Sequence, residues 1–334
     1  MRILDCTLRD GGYVNNWEFD TDTALKIIDG LYASGIRDIE VGILGAGATP
    51  GKQTKFNNFN EIKPLLKNRK SDCHYYVMFT QENAGNFDFP QCGTDTPDSI
   101  RIAFFKKTWR EAFDTVVILK EKGYNVFLQA MATFMYSDEE LLEMVDRVNE
   151  IKPASFYMVD SFSTMYPNDV VHMRDLVLSR LDTKIGFGFH SHNSIQMAYT
   201  NVQAFLNRKF EHEIVVDGSI YGMGRGAGNV PLELLMEHFN NSYGASYDTL
   251  PILDLYQKYL KDIYDQFGWG YSLTYFLVAK HRTNSAYGWY FGSKGIVDLC
   301  DLDWCLSQIP DDIRYTLKKD VADRIYERLI NGKN

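Results

Sequence analysis

Short runs of β-branched and aromatic residues recur along the first two-thirds of the chain, and amphipathic stretches of helical period separate them. The runs predict eight strands, near Arg2–Leu8, Ile36–Val41, Cys73–Phe79, Ser99–Phe105, Asn125–Met131, Ser155–Val159, Lys184–Phe189 and Glu213–Ser219. The clearest helices predicted between them are Asp20–Ala33, Trp109–Lys122, Ser137–Ile151, Pro167–Leu181 and Ser194–Asn207. The polar, glycine-containing segment 80–96 predicts a loop.

Regular alternation of strands and helices favours a parallel sheet. Eight such units within residues 1–245 fit a closed (β/α)8 TIM barrel, with an open doubly wound sheet as the alternative. The alternation stops near residue 246, and helices are predicted at Tyr247–Phe267, Tyr271–Ala286 and Pro310–Leu329. The expected architecture is therefore an α/β chain with a catalytic barrel at 1–245 and a helical C-terminal region at 246–334.

Composition and charge exclude several classes of protein. The formal net charge of −9 argues against a general nucleic-acid surface. The five cysteines are odd in number and include no C-x-x-C pair, which disfavours a disulfide framework and a cysteine zinc site. No apolar run resembles a signal peptide or spans a bilayer. We therefore expect a cytoplasmic protein that binds neither nucleic acid nor membrane.

Polar side chains with catalytic potential cluster where the predicted strands end. They are Asp10, Glu40, Asp160, the pair His190 and His192, and Asn229. Catalytic groups of a TIM barrel lie at the carboxyl ends of its strands, so distant segments are expected to converge there.

The histidine pair indicates a metal site. Residues i and i+2 of an extended strand face the same way, so His190 and His192 can point at one ion, with Asp10 as a third ligand. Imidazole and carboxylate suit Mn²⁺, Fe²⁺, Co²⁺ or Zn²⁺, and added water or substrate oxygens also allow Mg²⁺. The alternative is structural, with two satisfied histidines at a strand end and Asp10 as a turn cap.

Arg9 and Glu40 form a second candidate pair. A glutamate within an apolar strand needs a partner, and Arg9 is the plausible one. Arg9 could instead hold a substrate carboxylate or an enolate oxygen. The glycine-rich run 222–229 lacks the G-x-G-x-x-G spacing of a nucleotide loop, but it allows close backbone approach to a ligand.

Taken together, Thr7-Leu8-Arg9-Asp10-Gly11, His190-Ser191-His192-Asn193 and the run 222–229 resemble the DRE-TIM metallolyase superfamily, which is HMG-CoA lyase-like. The resemblance implies a divalent metal, Mn²⁺ or Mg²⁺ with Zn²⁺ as an alternative, held by Asp10, His190 and His192. It places a further ligand at Asn229. It also implies that Arg9 stabilises an enolate oxygen and that Glu40 is an active-site glutamate.

Within the superfamily the chain resembles the 4-hydroxy-2-oxovalerate aldolases most. Ser194 stands where the condensing synthases carry an acidic residue, and Gly270–Tyr275 matches a tyrosine motif of the aldolases. That match implies a catalytic role for Tyr275. One departure is Tyr13, which stands where the aldolases carry a histidine base. Either Tyr13 acts as the base, or His281 replaces it, or the reaction differs.

The resemblance implies aldol cleavage or addition of a 4-hydroxy-2-oxo acid, with pyruvate and an aldehyde as products. It also implies a homo-oligomer and a partner, an acylating aldehyde dehydrogenase. An acyl-CoA-dependent condensing transferase of the same superfamily is the runner-up. Two further hypotheses come from different classes: a metal-dependent hydrolase, with His212, His238 or His281 as later ligands, and a non-catalytic binding protein.

Overall fold

Eight parallel strands close into a barrel in the computed structural model, which describes residues 1–333. Closure follows from the pairing of the first strand with both the second and the last. This confirms the predicted (β/α)8 barrel and excludes the open sheet. A two-residue strand, β3, pairs only with β2. The strands are β1 (Arg2–Asp5), β2 (Asp38–Leu44), β3 (Lys55–Phe56), β4 (His74–Thr80), β5 (Ser99–Phe104), β6 (Asn125–Ala130), β7 (Ser155–Asp160), β8 (Gly186–Ser191) and β9 (Ile214–Gly218).

Helices surround the barrel and continue into the C-terminal region. Two begin with side-chain caps that the sequence shows: Asp20 accepts from Thr23 N at 2.8 Å, and Ser137 forms a capping box with Glu140. The helices are α1 (Gly12–Asn15), α2 (Thr21–Ala33), α3 (Lys63–Leu66), α4 (Trp109–Glu121), α5 (Asp138–Ile151), α6 (Pro167–Leu178), α7 (Ala198–Leu206), α8 (Leu232–Tyr243), α9 (Leu250–Leu255), α10 (Lys261–Phe267), α11 (Leu273–Lys280), α12 (Ser285–Ser293), α13 (Leu299–Ser307) and α14 (Lys319–Lys333).

Apolar side chains form three buried clusters. The largest lies between the strands and the helices, and it includes Ile252 and Leu255 of α9. A small cluster around Tyr76, Phe127 and Tyr157 fills part of the barrel interior. A third cluster belongs to the C-terminal helices from α11 onward. Among residues 1–333, no helix combines the length and apolarity needed to cross a bilayer.

The structure corrects several predicted boundaries. Strand β1 ends at Asp5 rather than Leu8, because the N–H groups of Arg9 and Asp10 both turn back to the Cys6 carbonyl, at 3.2 and 2.8 Å. The predicted helix Tyr271–Ala286 is wrong as a single element: α11 ends at Lys280, and Arg282 adopts a positive φ of 51° before α12 begins.

The other C-terminal predictions also need revision. The predicted helix Tyr247–Phe267 begins only at Leu250, and a π-helical turn over Tyr256–Leu260 joins α9 to α10. Helix α13 has no counterpart among the predicted elements. The predicted helix Pro310–Leu329 is a 3₁₀ turn, Asp311–Ile313, followed by α14. Segment 80–96 contains a 3₁₀ turn and no α-helix, as the polar pattern predicts.

Candidate metal centre and active site

Asp10, His190 and His192 meet at the mouth of the barrel. One candidate ligand atom from each lies within 4.8 Å of the others, and all three residues are buried. Asp10 Oδ2 lies 3.8 Å from His192 Nδ1. Strand β8 carries His190 and leads directly into His192, and the turn after β1 carries the carboxylate. The structure therefore brings together the three residues that the sequence suggested as metal ligands.

Their protonation states suit a cation. Burial raises the pKa of Asp10, but the Arg9 guanidinium and the two histidines outweigh it and hold that pKa below its ordinary range. Burial also lowers the pKa of His192 to about 3, so its imidazole is neutral at physiological pH. An ionised carboxylate and a neutral imidazole are the forms that ligate metals.

A carboxylate behind His190 fixes the orientation of its ring. His190 Nδ1 lies 2.8 Å from Asp217 Oδ2, and because a carboxylate accepts, Nδ1–H donates. This leaves Nε2 free as a metal ligand, and metal-binding histidines usually have such an outer partner. Sequence reasoning missed Asp217, which lies on β9.

Asn229, the predicted further ligand, has a buried side-chain oxygen. Its side-chain nitrogen donates to the Met223 carbonyl at 3.0 Å, while its Oδ1 has no hydrogen-bond partner among residues 1–333. The loop that carries it is tied to the segment after the histidine pair, since Asn193 N donates to Gly228 O at 2.9 Å. This unpaired oxygen and the three converging donors fit a divalent cation.

Gly224 leaves no room for a side chain beside this cluster. An added Cβ would lie 2.3 Å from Asn229 Nδ2 and 2.7 Å from Asp10 Oδ2. We expect Gly224→Ala to lower Mn²⁺ affinity at least about tenfold, the size of effect seen when ligand-supporting groups are displaced. Isothermal titration of metal-stripped protein measures it. Gly292→Ala, where an added Cβ meets nothing within 4 Å, is the control and should leave affinity unchanged.

Arg9 links the metal cluster to Glu40. Its Nη1 donates to Asp10 Oδ1 at 2.5 Å and its Nε to Glu40 Oε2 at 2.6 Å, so the structure joins the pair that the sequence suggested. Its Nη2 is buried and has no hydrogen-bond partner within the described residues, 1–333. A buried donor of this kind needs an acceptor, which a bound ligand could supply.

A fully buried arginine continues this network through the barrel interior. Arg101 on β5 donates to Glu40 Oε2 and Gln129 Oε1, both at 3.0 Å, and pairs with Asp217. A chain of ion pairs with alternating charge therefore links Asp10, Arg9, Glu40, Arg101 and Asp217. Asp217 in turn hydrogen-bonds His190. Sequence reasoning missed Arg101 and Gln129. The sequence did contain a feature that could have identified Arg101. It is an arginine at an interior position of an apolar strand, and a buried charge must be paired.

A small cavity of about 50 Å³ is lined in part by Asp10, His190 and His192. Its charged and titratable lining consists of Arg9, Asp10, Tyr13, His190, His192 and Arg225. Desolvation raises the pKa of Tyr13, so this side chain is a phenol at neutral pH and a poor base. The convergent polar groups are typical of a small-molecule site.

Three further candidates lie apart from this cavity. Tyr275 is half-buried on α11 and is not among the lining residues. His281 lies 2.7 Å from Asp303 and also does not line the cavity. Asp160 accepts from the backbone N–H groups of Thr164, at 2.9 Å, and Met165, at 3.3 Å, which makes it a loop cap.

The later histidines needed for a hydrolase site do not join the cluster. His212 Nε2 lies 3.2 Å from the Leu181 carbonyl, just before β9 begins. His238 lies on α8, where its Nδ1 is 3.3 Å from the Ser242 hydroxyl. The Asp-His-His group includes neither of them.

Comparison with known proteins assigns the family. A family model described as HMGL-like matches residues 1–249. The chain belongs to the HMGL-like family. This confirms the resemblance drawn from the three sequence motifs, and the curated relatives include enzymes named as aldolases.

Curated relatives carry two enzyme names. Oxaloacetate decarboxylase of Mycobacterium tuberculosis is 26% identical over 70% of this chain and 68% of its own length. The 4-hydroxy-2-oxovalerate aldolase of Shewanella pealeana is 26% identical over 79% of this chain and 78% of its own length. The 4-hydroxy-2-oxovalerate aldolase of Carboxydothermus hydrogenoformans is 27% identical over 77% of this chain and 76% of its own length.

Solved structures share the fold. HMG-CoA lyase of Brucella melitensis superposes with a TM-score of 0.61 at 14% identity, covering 76% of this chain and 95% of that one. The carboxyl transferase domain of Rhizobium etli pyruvate carboxylase superposes with a TM-score of 0.74 at 13% identity. This match covers 99% of this chain and 60% of that one. The second likeness includes the C-terminal helices as well as the barrel.

Proposed function

We propose that the protein is a divalent-metal-dependent carbon–carbon lyase that acts on a 2-oxo acid and forms pyruvate. The observation that carries this proposal is the placement of Asp10, His190 and His192 beside an arginine with an unpartnered guanidinium nitrogen. Relatives named as 4-hydroxy-2-oxovalerate aldolase support aldol cleavage of a 4-hydroxy-2-oxo acid as the specific reaction.

The residues divide the chemistry between them. Asp10, His190 and His192 would hold Mn²⁺ or Mg²⁺, with Zn²⁺ as the alternative and Asn229 as a further ligand. The cation, when bound, would supply Lewis-acid activation of the 2-oxo acid. Arg9 Nη2 would donate to the oxygen that gains negative charge as the pyruvate enolate forms. Glu40 would hold Arg9 in that orientation through its 2.6 Å contact.

Aldol cleavage also requires a base that removes the proton from the 4-hydroxyl group. A base must take that proton as the bond between carbons 3 and 4 breaks and its electron pair enters the enolate. Tyr13 is the candidate on the cavity wall, but its raised pKa disfavours the phenolate. Tyr275 could contribute only if α11 moves toward the cavity, because it does not line it in this structure.

The weakness of Tyr13 as a base favours a second candidate, decarboxylation of a 3-carboxylated 2-oxo acid such as oxaloacetate. That reaction forms the same enolate when carbon dioxide leaves, and no substrate hydroxyl has to lose a proton. The relative named oxaloacetate decarboxylase is consistent with it. The acyl-CoA condensing transferase stays the alternative within the superfamily.

A pyruvate-forming assay tests the proposal. Metal-stripped protein is reloaded with Mn²⁺, Mg²⁺ or Zn²⁺ and offered 4-hydroxy-2-oxovalerate, oxaloacetate, or acetyl-CoA with a 2-oxo acid. Pyruvate release above the metal-only blank is expected with at least one 2-oxo acid. Release of free CoA would instead favour the condensing transferase. Full turnover by metal-free protein would reject the metal-dependent mechanism.

The cellular setting is also a proposal. The family resemblance supports a cytoplasmic homo-oligomer that passes its aldehyde product to an acylating aldehyde dehydrogenase. Co-purification of such a dehydrogenase, and the mass of the assembly in solution, are the direct measurements.

A further inference from the structure

We propose that Arg225 is a specificity-determining residue that binds a second carboxylate on the substrate, so that the preferred substrates are 2-oxo dicarboxylic acids. This inference rests on the proposed lyase function and deepens it. It concerns a side chain on the loop between β9 and α8 that the metal cluster and Arg9 leave unused.

The loop holds Arg225 beside Asp10. Its backbone N–H donates to Asp10 Oδ2 at 3.3 Å, so its main chain touches a candidate metal ligand. Its guanidinium Nη2 donates to the carbonyl of Ser161, which also lines the cavity, at 2.7 Å. The guanidinium carbon also lies 5.9 Å from the centre of the Tyr13 ring and 6.0 Å from that of Phe162. These contacts fix the group at the wall of the cavity.

Unlike the two arginines of the barrel interior, Arg225 has no carboxylate partner. Arg9 pairs with Asp10 and Glu40, and Arg101 pairs with Glu40 and Asp217. Among residues 1–333 no carboxylate lies within ion-pair distance of the Arg225 guanidinium, whose one side-chain bond is to the Ser161 carbonyl. A guanidinium has five N–H donors in a planar fork that matches a carboxylate, and the bond to Ser161 uses one of them.

The location of Arg225 specifies where the second carboxylate lies. Asp10, His190 and His192 would engage the 2-oxo acid end through the cation, and Arg225 and Tyr13 line the same cavity beside them. A carboxylate beyond carbon 4 of a 4-hydroxy-2-oxo acid would meet Arg225. In aldol cleavage the bond between carbons 3 and 4 breaks, its electron pair enters the enolate, the hydroxyl proton leaves to a base, and the carboxylate departs intact on the aldehyde.

Arg225 fits that cleavage better than decarboxylation. A carboxylate that persists through the transition state keeps its contact with Arg225, so the contact lowers KM and raises kcat/KM. In decarboxylation the carboxylate loses its charge as the bond breaks, and a guanidinium bound to it would stabilise the ground state more than the transition state. Arg225 therefore fits a hydroxylated 2-oxo dicarboxylate better than it fits oxaloacetate.

Two matched pairs of ligands test the proposal. The inert pair is 2-oxoglutarate and 2-oxovalerate, which differ by a terminal carboxylate in place of a methyl group. The reactive pair is 4-hydroxy-2-oxoglutarate and 4-hydroxy-2-oxovalerate, which differ in the same way. We expect calorimetry to show that Mn²⁺-loaded protein binds 2-oxoglutarate about ten- to hundredfold more tightly than 2-oxovalerate. This is the range for a hydrogen bond to a charged group.

Variants of Arg225 assign that preference to the side chain. Arg225→Gln should bring both the binding ratio and the kcat/KM ratio close to one, chiefly through KM, and Arg225→Lys should retain part of the preference because it keeps charge without the fork. Arg110→Gln is the control, because Arg110 is 68% exposed on α4, pairs with Glu143 and is not among the residues that line the cavity. Circular dichroism checks that each variant is folded.

The outcomes separate this proposal from the lyase function. Preferential binding of 2-oxoglutarate that Arg225→Gln abolishes, without turnover of either hydroxy acid or of oxaloacetate, would uphold the role of Arg225 and reject the lyase. Turnover with a dicarboxylate preference that Arg225→Gln leaves intact would overturn the role of Arg225 and uphold the lyase. Equal binding, or no binding, of the two inert acids by the unmodified protein would also overturn the role of Arg225.

Discussion

Replacing His192 with alanine is expected to remove bound metal and activity together. The imidazole is one of three protein groups that converge on the candidate cation position, and its neutral form is the one that ligates. Lewis-acid activation contributes several kcal/mol to catalysis, and each 1.36 kcal/mol is a tenfold change in rate. The expected fall in kcat/KM for pyruvate formation is therefore roughly 10³-fold or more.

Metal content and rate should be measured on the same preparations. Elemental analysis after Mn²⁺ loading should show about one ion per chain in the unmodified protein and almost none in His192→Ala or Asp10→Ala. His172→Ala is the matched control, because His172 is 57% exposed and bonds only a surface aspartate, Asp138. A His192→Ala protein that retains the ion and the rate would place the metal centre elsewhere.

The sequence was sufficient to predict the barrel and the convergence of Asp10, His190 and His192, because both follow from the periodic alternation of strands and helices. Buried parallel strands produce apolar runs separated by amphipathic helices, and barrel closure brings every strand end to one rim. Asp10, His190 and His192 lie at such ends, so their meeting follows from the fold without side-chain detail. Arg9 and Glu40 were paired by a charge argument, since a buried glutamate needs a partner.

Contacts across the barrel interior were harder to predict because no local pattern encodes them. Arg101 and Asp217 are 116 positions apart, and each lies within an apolar strand that periodicity describes without reference to its partner. The predicted boundaries of the C-terminal helices were wrong for a different reason. Short breaks such as the positive φ at Arg282 leave little trace in hydrophobic spacing, so two helices looked like one.

The boundary between a barrel of 1–245 and a separate C-terminal region stays a prediction. The apolar side chains of α9 join the main core, and the cluster formed by α11 to α14 is separate from it. Limited proteolysis followed by mass spectrometry would show where the chain first becomes accessible.

Arg101→Met is expected to destabilise the fold more than any surface change. The guanidinium is fully buried inside the barrel, where it bonds Glu40, Gln129 and Asp217. Removing it leaves two carboxylates buried with their charge less compensated, and breaking a buried ion pair costs about 3–5 kcal/mol. Urea unfolding followed by circular dichroism should show this loss as a lower midpoint.

The cause can be separated from simple loss of packing, because methionine preserves much of the side-chain volume. Adding Asp217→Asn to Arg101→Met removes one of the uncompensated charges, so the double variant should regain part of the lost stability. It should still bind metal more weakly, since Asp217 orients His190 through the 2.8 Å bond. Arg180→Met, which breaks a half-exposed pair with Asp146, is the control and should cost less than about 1 kcal/mol. If Arg101→Met costs no more than this control, the charge network does not hold the barrel together.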